Sequence, residues 1–391
     1  MALTATWHSN APWTYTGYGS QTKQVVRRMA ADGHRMAIAA NYGIEQMVTE
    51  WEGITVFPRG LDAYNNDIVG PYFDDWTSRY PGTKACQFTL FDVWVLNSPR
   101  FDDIPTVSWV PIDHVPAPPP VVEFLRKPTV RPVAMSKFGQ EMLAHDKVDA
   151  TFIPHGIETS VFKPTARVSV GGRMMTGREI MGIDEDRFVV GAINANKGIN
   201  PSRKSWGENL LAFSLFAQQH DDAVLYLHTE RDGAMGGVKL PEIIKSLGLR
   251  EDQYRFVNQY AYRMGIPDEG LAAIYTACDV GLMVSMGEGS GLTPQEMQAC
   301  ERPVIVSDFS AQPEILGDGW LVKGQPWWDA AQHGWFNQPI VGNIVEALEA
   351  AYARGRGMSA KARKHIVDNY DADLIYQTKW RPFLADLEAS L

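Results

Sequence analysis

Residues 287–308 read GEGSGLTPQEMQACERPVIVSD. The apolar run VGLMVSM precedes the glycine-rich turn, and a helix-like run after the turn leads to the short apolar run PVIVSD. Gly289 and Gly291 permit a tight turn, because glycine lacks the Cβ that restricts other residues. A strand, a turn, a helix and a second strand form the repeating unit of parallel sheets. The stretch therefore predicts a βαβ unit with a glycine turn at the carboxyl end of its first strand.

The same alternation of apolar runs and helical runs extends over most of the 391 residues. It begins with the strand ALTATWHSN and the helix QTKQVVRRMAADG, and it restarts with the strand RFVVGAINAN after an irregular stretch at 162–187. Two such series predict an α/β protein with two Rossmann-like domains whose parallel sheets face a central cleft. We expect an N-terminal domain at 1–165, a C-terminal domain at 166–370, and a final helix at 371–391.

The composition is that of an ordinary globular protein, with 45% hydrophobic and 21% charged residues. The sequence contains no apolar run long enough for a transmembrane helix and no signal-peptide pattern at its start, so we expect a cytoplasmic protein. The net charge of −10 argues against general binding of nucleic acid, which usually requires a basic surplus. Histidine, aspartate and glutamate do not occur at metal-site spacing, so we expect no metal.

The turn and the start of the following helix are expected to form an anion site. Backbone N–H groups in a glycine turn are accessible, and the helix dipole favours negative charge at a helix N-terminus. Thr293 is a candidate cap and Pro294 fits the first helical position. The backbone amides that we expect to hold a phosphate belong to Gly289, Ser290, Gly291, Leu292 and Thr293.

Two carboxylates flank this anion site, namely Glu288 before the turn and Glu296 in the helix. A carboxylate close to a phosphate repels it, but a few ångströms away it can accept hydrogen bonds from sugar hydroxyls. A nucleotide sugar has hydroxyls on both sides of its phosphates and fits this arrangement. Glu296 also has a structural alternative, because Thr293-x-x-Glu296 is a capping box in which the carboxylate bonds back to the Thr293 amide.

EGSGLTPQE followed by MQACERPVIVSD resembles the Glu-x7-Glu signature of retaining GT-B glycosyltransferases, in particular glycosyltransferase family 4. IYTACDVGLMVS, QPEILGDGWLV and FIPHGIETSVFKP are similar to other segments of that family. The resemblance implies that Glu288 contacts the donor sugar, that Glu296 binds the ribose, and that the intervening amides hold the diphosphate. It also implies retention of anomeric configuration by a front-face mechanism, without a cofactor, from a donor that is most often UDP- or GDP-linked. It implies further that the N-terminal domain lies on the acceptor side, that the C-terminal domain binds the nucleotide-sugar donor, and that the helix at 371–391 packs back on the N-terminal domain.

A basic pair, Arg203 and Lys204, precedes the helical run SWGENLLAF. Cations at a helix start oppose the helix dipole, so the pair is better explained if an anion binds beside it. Lys204 matches the position of the lysine that binds diphosphate in the family. The family's arginine often lies about five residues earlier, where this chain has Ile199, so Arg203 could replace it, or Asn196 and Lys197 could contribute.

In the first half, TYTGYGSQTKQ places Gly17 and Gly19 before a helix, and WVPIDHVPAPPP places Asp113 and His114 at the end of a strand. The glycine spacing is not that of a dinucleotide-binding fingerprint. The resemblance implies that the glycine loop approaches the donor phosphate. It also implies that Asp113 and His114 position the donor sugar or the acceptor.

The predicted function is transfer of a sugar from a nucleotide-diphosphate sugar to an acceptor hydroxyl. Three alternatives remain open from the sequence. The first is another GT-B enzyme, a phosphorylase or an epimerase. The second is a non-catalytic protein that binds sugar nucleotides. The third is a glycosyltransferase that acts on hydroxymethyl-pyrimidines in DNA, in which aromatic loops of the N-terminal half would stack on a base.

Overall fold

The computed structural model describes residues 2–391, which divide into two compact units. Unit 1 comprises the residues up to Gly156 together with Asp329–Gly334 and Ala372–Leu391, and unit 2 comprises Ile157–Trp328 and Trp335–Asp371. The change from unit 1 to unit 2 falls at Gly156 rather than at 165. The last segment, 372–391, belongs to unit 1.

Unit 1 is built on an eight-stranded sheet with the strand order β3-β4-β2-β1-β5-β6-β7-β8, in which only the β3–β4 pair is antiparallel. The strands are β1 (Thr4–Asn10), β2 (Arg35–Tyr42), β3 (Thr49–Trp51), β4 (Ile54–Phe57), β5 (Ala85–Leu90), β6 (Thr106–Val110), β7 (Val130–Ala134) and β8 (Thr151–Phe152). The helices are α1 (Gly17–Ala31), α2 (Val69–Ser78), α3 (Pro119–Leu125) and α4 (Lys137–His145). Of these, α2 and β3 were not predicted from the sequence, and α3 lies where the sequence predicted a proline-rich loop.

A cluster of large aromatic side chains forms the centre of the unit 1 core. The rings of Trp7 on β1 and Phe88 on β5 stack with centroids 5.7 Å apart, because these residues are direct partners in the parallel register. Trp109 on β6 and Trp380 meet edge to face at 4.9 Å. All four side chains are no more than 2% exposed. Trp380 comes from the last segment of the chain, so that segment completes the core of unit 1.

Unit 2 contains a fully parallel six-stranded sheet with the order β13-β12-β11-β14-β15-β16. Its strands are β11 (Phe188–Ile193), β12 (Ala223–His228), β13 (Tyr254–Phe256), β14 (Val280–Leu282), β15 (Val304–Ser307) and β16 (Gly319–Val322). The helices before α14 are α5 (Gly177–Met181), α6 (Trp206–Ala217), α7 (Leu240–Ser246), α8 (Gln259–Met264), α9 (Asp268–Ala277), α10 (Leu292–Ala299), α11 (Gln312–Ile315), α12 (Val341–Arg354) and α13 (Ala360–Tyr370).

The chain ends with α14 (Ala372–Ile375), a π-helical turn (Tyr376–Trp380) and α15 (Arg381–Ser390), all in unit 1. Two antiparallel hairpins also lie outside the main sheets. One consists of β9 (Val168–Val170) and β10 (Arg173–Met175), where the sequence predicted only irregular chain. The other consists of β17 (Gly324–Asp329) and β18 (Gly334–Pro339), which the sequence analysis missed.

The central strands of both sheets are buried on both faces, which explains why they appear in the sequence as continuous apolar runs. Parallel strands also place all their carboxyl ends at one edge of a sheet, so the loops that leave that edge lie together. Within residues 2–391, no helix is both long enough and apolar enough to cross a membrane.

Candidate functional site

The glycine turn lies at the carboxyl edge of the unit 2 sheet, between β14 and α10. Gly291 precedes α10 with φ 90°, a conformation that glycine adopts without steric cost. Helix α10 begins at Leu292, so Thr293 and Pro294 are its second and third residues, and no side chain caps the helix. The predicted Thr293 cap and the alternative capping box are therefore wrong. The amides at the start of α10 can still contribute to the predicted anion site, since the first N–H groups of a helix have no acceptor inside the helix.

Glu296 interacts with a tyrosine of the preceding helix instead of capping α10. The hydroxyl of Tyr275 on α9 donates a 2.8 Å hydrogen bond to Oε2 of Glu296. Burial raises the pKa of the Glu296 carboxyl, and the hydrogen bond from Tyr275 opposes this only in part, so the pKa is about 8. The carboxyl is therefore mostly protonated at neutral pH, and Tyr275 is a contact that the sequence analysis did not identify.

Glu288 forms an ionic cluster with the predicted basic pair. Lys204 Nζ donates a hydrogen bond to Oε1 of Glu288, and Arg203 Nη1 lies 3.2 Å from Oε2. Burial raises the pKa of the Glu288 carboxyl, but the charges of Lys204 and Arg203 and their hydrogen bonds outweigh burial and lower it to about 2. Glu288 is therefore ionised at neutral pH.

Backbone hydrogen bonds hold the cluster in place. Met286 N–H donates to the Arg203 carbonyl at 2.8 Å, and the Arg203 guanidinium donates to the Gly287 carbonyl at 2.6 Å. The Glu288 amide donates to Oγ of Ser310 at 2.8 Å. The loops that carry these residues follow β11, β14 and β15, which are neighbours in the sheet, so the topology brings them together.

The cluster of Arg203, Lys204 and Glu288 carries two positive charges and one negative charge. The carboxylate balances the charge of one cation. The second cation gives the cluster a net positive charge near the N-terminus of α10. Backbone amides, a helix N-terminus and a net cation together provide the groups that bind an anion. Among residues 2–391, no group of three or more histidines, cysteines or acids is arranged to hold a metal ion.

Asn196 lies in the same region but its side chain binds backbone. Its Nδ2 donates to the carbonyls of Glu230 at 2.9 Å and Val238 at 2.7 Å, and its Oδ1 accepts from Val238 N–H at 3.0 Å. The residue is 2% exposed. Asn196 therefore fixes the loop after β11 to the loop after β12, while the neighbouring Lys197 is exposed.

In unit 1, Gly17 and Gly19 form the first turn of α1, whose cap is the side chain of Thr16. Thr16 Oγ1 accepts the Gly19 N–H at 3.0 Å. A Cβ at Gly19 would lie 2.1 Å from Oγ1 of Thr14 and 2.5 Å from its carbonyl oxygen. The close packing of this turn therefore requires glycine at position 19.

Asp113 and His114 also lie in unit 1, in the loop after β6. Asp113 Oδ1 is 2.7 Å from Nδ1 of His114, and Asp329 Oδ2 is 3.3 Å from Nε2 of the same ring. Gly334 packs against this imidazole, since a Cβ there would lie 2.8 Å from the Cβ of His114. His114 is 4% exposed and is held between two carboxylates. No local sequence pattern indicated Asp329, because it lies far from His114 along the chain.

The predicted residues thus fall into two groups. In unit 2 the structure brings together Arg203, Lys204, Glu288 and the turn before α10, while Glu296 lies one turn into α10. The unit 1 residues Gly17, Gly19, Asp113 and His114 lie at the carboxyl edge of the unit 1 sheet, in the loops after β1 and β6. His155 packs edge to face on Trp109 with centroids 4.6 Å apart.

Solved structures with the same architecture cover the whole chain. A sucrose-phosphate synthase from Thermosynechococcus elongatus is similar with a TM-score of 0.75 and 15% identity, over 100% of both chains. HepE from Anabaena, solved in complex with UDP, is similar with a TM-score of 0.60 and 14% identity, over 100% of both chains. These identities are low, so the similarity defines the fold, and the fold is that of GT-B glycosyltransferases.

Residues 188–333 match the family model described as "Glycosyl transferases group 1". The matched segment begins at β11 and includes the ionic cluster, the glycine turn and Glu296. A curated relative, O-antigen chain mannosyltransferase B of Escherichia coli, is 35% identical over 75 residues, which are 19% of this chain and 18% of the relative. The fold and the family match together support a glycosyltransferase of the GT-B type.

Proposed function

We propose that the protein transfers a sugar from a nucleoside-diphosphate sugar to an acceptor hydroxyl, with retention of the anomeric configuration. The observation that carries the proposal is the ionic cluster of Arg203, Lys204 and Glu288 beside the uncapped start of α10. The cluster lies within the segment that matches the glycosyl transferases group 1. HepE, which has the same fold, was solved in complex with UDP.

The cluster has the charge that departure of a nucleoside diphosphate requires. As the glycosidic bond breaks, negative charge develops on the diphosphate, and fixed cations and amides stabilise that charge. In the proposed complex, Arg203 and Lys204 face the diphosphate together with the amides from Gly289 to Leu292. These cations take the part that a divalent metal plays in metal-dependent transferases.

The two glutamates have different protonation states, which suits different roles. Glu288 is ionised and can only accept hydrogen bonds, as expected for a group that binds hydroxyls of the donor sugar. Glu296 carries a proton in the free protein and is oriented by Tyr275. Its carboxyl group is proposed to bind the ribose hydroxyls, since a protonated carboxyl can both donate and accept.

The proposal is tested by calorimetric titration with UDP, GDP, ADP, dTDP and CMP, followed by transfer assays with the sugar conjugates of the nucleotide that binds. We expect one nucleoside diphosphate to bind selectively, with binding at least tenfold weaker in Lys204→Met. The matched control is Lys245→Met, an exposed lysine on α7, which should bind as the wild type does.

The anomeric proton of the product, observed by NMR, distinguishes retention from inversion. Absence of binding by all five nucleotides would overturn the proposal. Selective binding without donor consumption in the presence of acceptors would instead favour a non-catalytic sugar-nucleotide binding protein.

A further inference from the structure

Exposed aromatic side chains are concentrated at one edge of unit 1. Eight tryptophan and tyrosine residues of the described chain are at least 39% exposed, and five of them lie at or after the carboxyl ends of β1, β2, β4 and β5. These five, which we call the aromatic rim, are Trp13, Tyr15, Tyr42, Tyr64 and Trp94. The other three are Tyr260, Trp328 and Trp335. Exposure of so many aromatic rings at one edge is unfavourable in water and indicates a binding surface.

The loops that carry the rim are fixed to one another. Trp13 Nε1 donates a 3.0 Å hydrogen bond to the Gly43 carbonyl, which joins the loop after β1 to the end of β2. Asn66 Nδ2 donates to the Val95 carbonyl at 3.0 Å, which joins the loop after β4 to the loop after β5. The rim is therefore held by interactions between loops, and the rings are presented from a fixed backbone.

The rim is acidic. Five of the loops at this edge, residues 11–16, 43–48, 58–68, 91–98 and 111–118, contain five carboxylates and one arginine, and Lys137 at the start of α4 adds one further cation. The carboxylates belong to Glu45, Asp62, Asp67, Asp92 and Asp113, and the arginine is Arg59. Arg59 lies 3.7 Å from Glu45, so its charge is balanced locally. A polyanion would meet net repulsion at this surface.

Aromatic rings and carboxylates together have the chemistry that binds neutral sugars. One face of a pyranose ring presents C–H groups, which pack on the negative face of an aromatic ring. The hydroxyls around the sugar ring donate hydrogen bonds to carboxylates, and these charge-assisted bonds are stronger than neutral ones. A sugar without charged groups satisfies both features and brings no negative charge to the acidic loops.

We propose that the aromatic rim binds a neutral carbohydrate, and that this carbohydrate is the acceptor of the transfer reaction. The second part of this inference rests on the proposed function. The net negative charge disfavours DNA, whose phosphates would approach the five carboxylates. The same charge disfavours attachment to an anionic lipid surface through the exposed rings.

Tyr15 and Trp94 are suited to a test because they are 62% and 49% exposed, so their removal should not disturb the core. The probes are methyl α-D-mannoside, methyl α-D-glucoside, maltotetraose and cellotetraose, measured by saturation-transfer NMR and tryptophan fluorescence without nucleotide. A 12-nucleotide oligothymidylate and anionic phospholipid vesicles serve as alternative ligands. We expect at least one saccharide to bind, with affinity at least tenfold lower in Tyr15→Ala and Trp94→Ala. Tyr260→Ala, an exposed tyrosine in unit 2, should leave saccharide binding unchanged.

In the transfer assay, the same rim substitutions should raise the KM for the saccharide acceptor at least tenfold and leave the KM for the donor unchanged. Failure of every saccharide to bind, or salt-sensitive binding of the oligonucleotide or the vesicles instead, overturns the inference. Because saccharide binding is measured without nucleotide, the two proposals fail separately. Nucleotide binding without saccharide binding contradicts only the rim, and saccharide binding without nucleotide binding contradicts only the proposed donor site.

Discussion

The hydroxyl of Tyr275 donates a 2.8 Å hydrogen bond to the carboxyl group of Glu296, and this pair couples two adjacent helices of unit 2. Burial raises the pKa of Glu296 from its ordinary value of 4.5 to about 8, despite the opposing effect of Tyr275. The folded protein therefore holds a proton on Glu296 over a pH range in which the unfolded chain has released it.

This pair predicts a loss of stability as pH rises. Between pH 4.5 and 8 the native state binds more protons at Glu296 than the unfolded state, so the free energy of unfolding falls as pH increases. Glu296→Gln removes this contribution. The quantity to compare is the free energy of unfolding of the wild type minus that of the variant. We expect this difference to fall by at least about 1.4 kcal/mol from pH 5 to pH 8.5, which corresponds to a shift of one pKa unit.

Urea denaturation at the two pH values measures this difference. The buried histidines His8, His155 and His228 also have lowered pKa values, but they are common to both proteins and cancel in the comparison. A difference that does not change with pH would contradict the assignment of a raised pKa to Glu296.

The ionic cluster predicts strong coupling between Lys204 and Glu288. Glu288 is 7% exposed, so Lys204→Met removes one of the two cations that contact a buried carboxylate. Glu288→Gln removes the carboxylate that Arg203 and Lys204 both contact. Each substitution should destabilise unit 2 by about 2–4 kcal/mol. The double variant should be more stable than the sum of the single effects implies, by at least about 1 kcal/mol.

A double-mutant cycle measured by chemical denaturation gives this coupling energy. The exposed pair Lys239 and Glu242, 3.5 Å apart with side chains 66% and 73% exposed, is the control and should show a coupling below about 0.5 kcal/mol. Equal coupling in the two pairs would mean that burial does not strengthen the interaction at Glu288.

The hydrogen bonds of Asn196 predict that its substitution lowers the stability of unit 2, although the residue lies near the proposed donor site. Asn196→Ala removes two donated hydrogen bonds and one accepted hydrogen bond to the loop after β12. The expected loss is about 2–3 kcal/mol, since each hydrogen bond contributes about 1 kcal/mol. The Val238 N–H donates a hydrogen bond to Oδ1 of Asn196, so this amide should exchange faster with solvent hydrogen in the variant. Thermal denaturation should show the loss of stability.

The control for Asn196 is Asn369→Ala on α13, where the side chain is exposed and donates to one carbonyl within its own helix. This variant should change stability by less than about 0.5 kcal/mol. If Asn196→Ala leaves both stability and Val238 exchange at wild-type values, its hydrogen bonds do not hold the two loops together.

The packing of Trp380 in the aromatic core predicts that the segment 372–391 stabilises unit 1. The ring is 1% exposed and contacts Trp7, Phe88, Trp109 and Phe383. Trp380→Ala should destabilise unit 1 by about 3–5 kcal/mol because it leaves a cavity among these rings. Trp380→Phe keeps an aromatic ring and removes an indole N–H for which the structure shows no acceptor, so its effect should be smaller.

Near-UV circular dichroism during thermal denaturation reports on this aromatic cluster. Equal loss of stability in the two variants would show that the cavity is not the cause. No loss in Trp380→Ala would show that 372–391 does not stabilise unit 1.

The sequence predicted the parts of the fold that depend on local pattern. The buried parallel strands appear as continuous apolar runs, and the turn before α10 contains Gly291, whose positive φ favours glycine. The grouping of Arg203, Lys204 and Glu288 also followed from the pattern, because residues after neighbouring parallel strands lie at the same sheet edge.

The features that the sequence did not reveal depend on contacts distant along the chain. Thr293-x-x-Glu296 has the pattern of a capping box, but the buried hydroxyl of Tyr275 binds Glu296 instead. Asp329 faces His114 only because the turn between β17 and β18 groups with unit 1. Local pattern contains no information about either pairing, since tertiary packing selects the partner.

The position of Trp380 has a consequence for synthesis on the ribosome. The unit 1 strands β1 and β5 precede the whole unit 2 sheet along the chain, but the tryptophan at the centre of their core follows that sheet. At a translation rate of about 5–20 residues per second, many seconds pass between the synthesis of β5 and the synthesis of Trp380. During this interval the nascent first unit exposes Trp7 and Trp109, while the strands of the unit 2 sheet are translated. We therefore expect nascent chains that stop before Trp380 to need a chaperone to remain soluble.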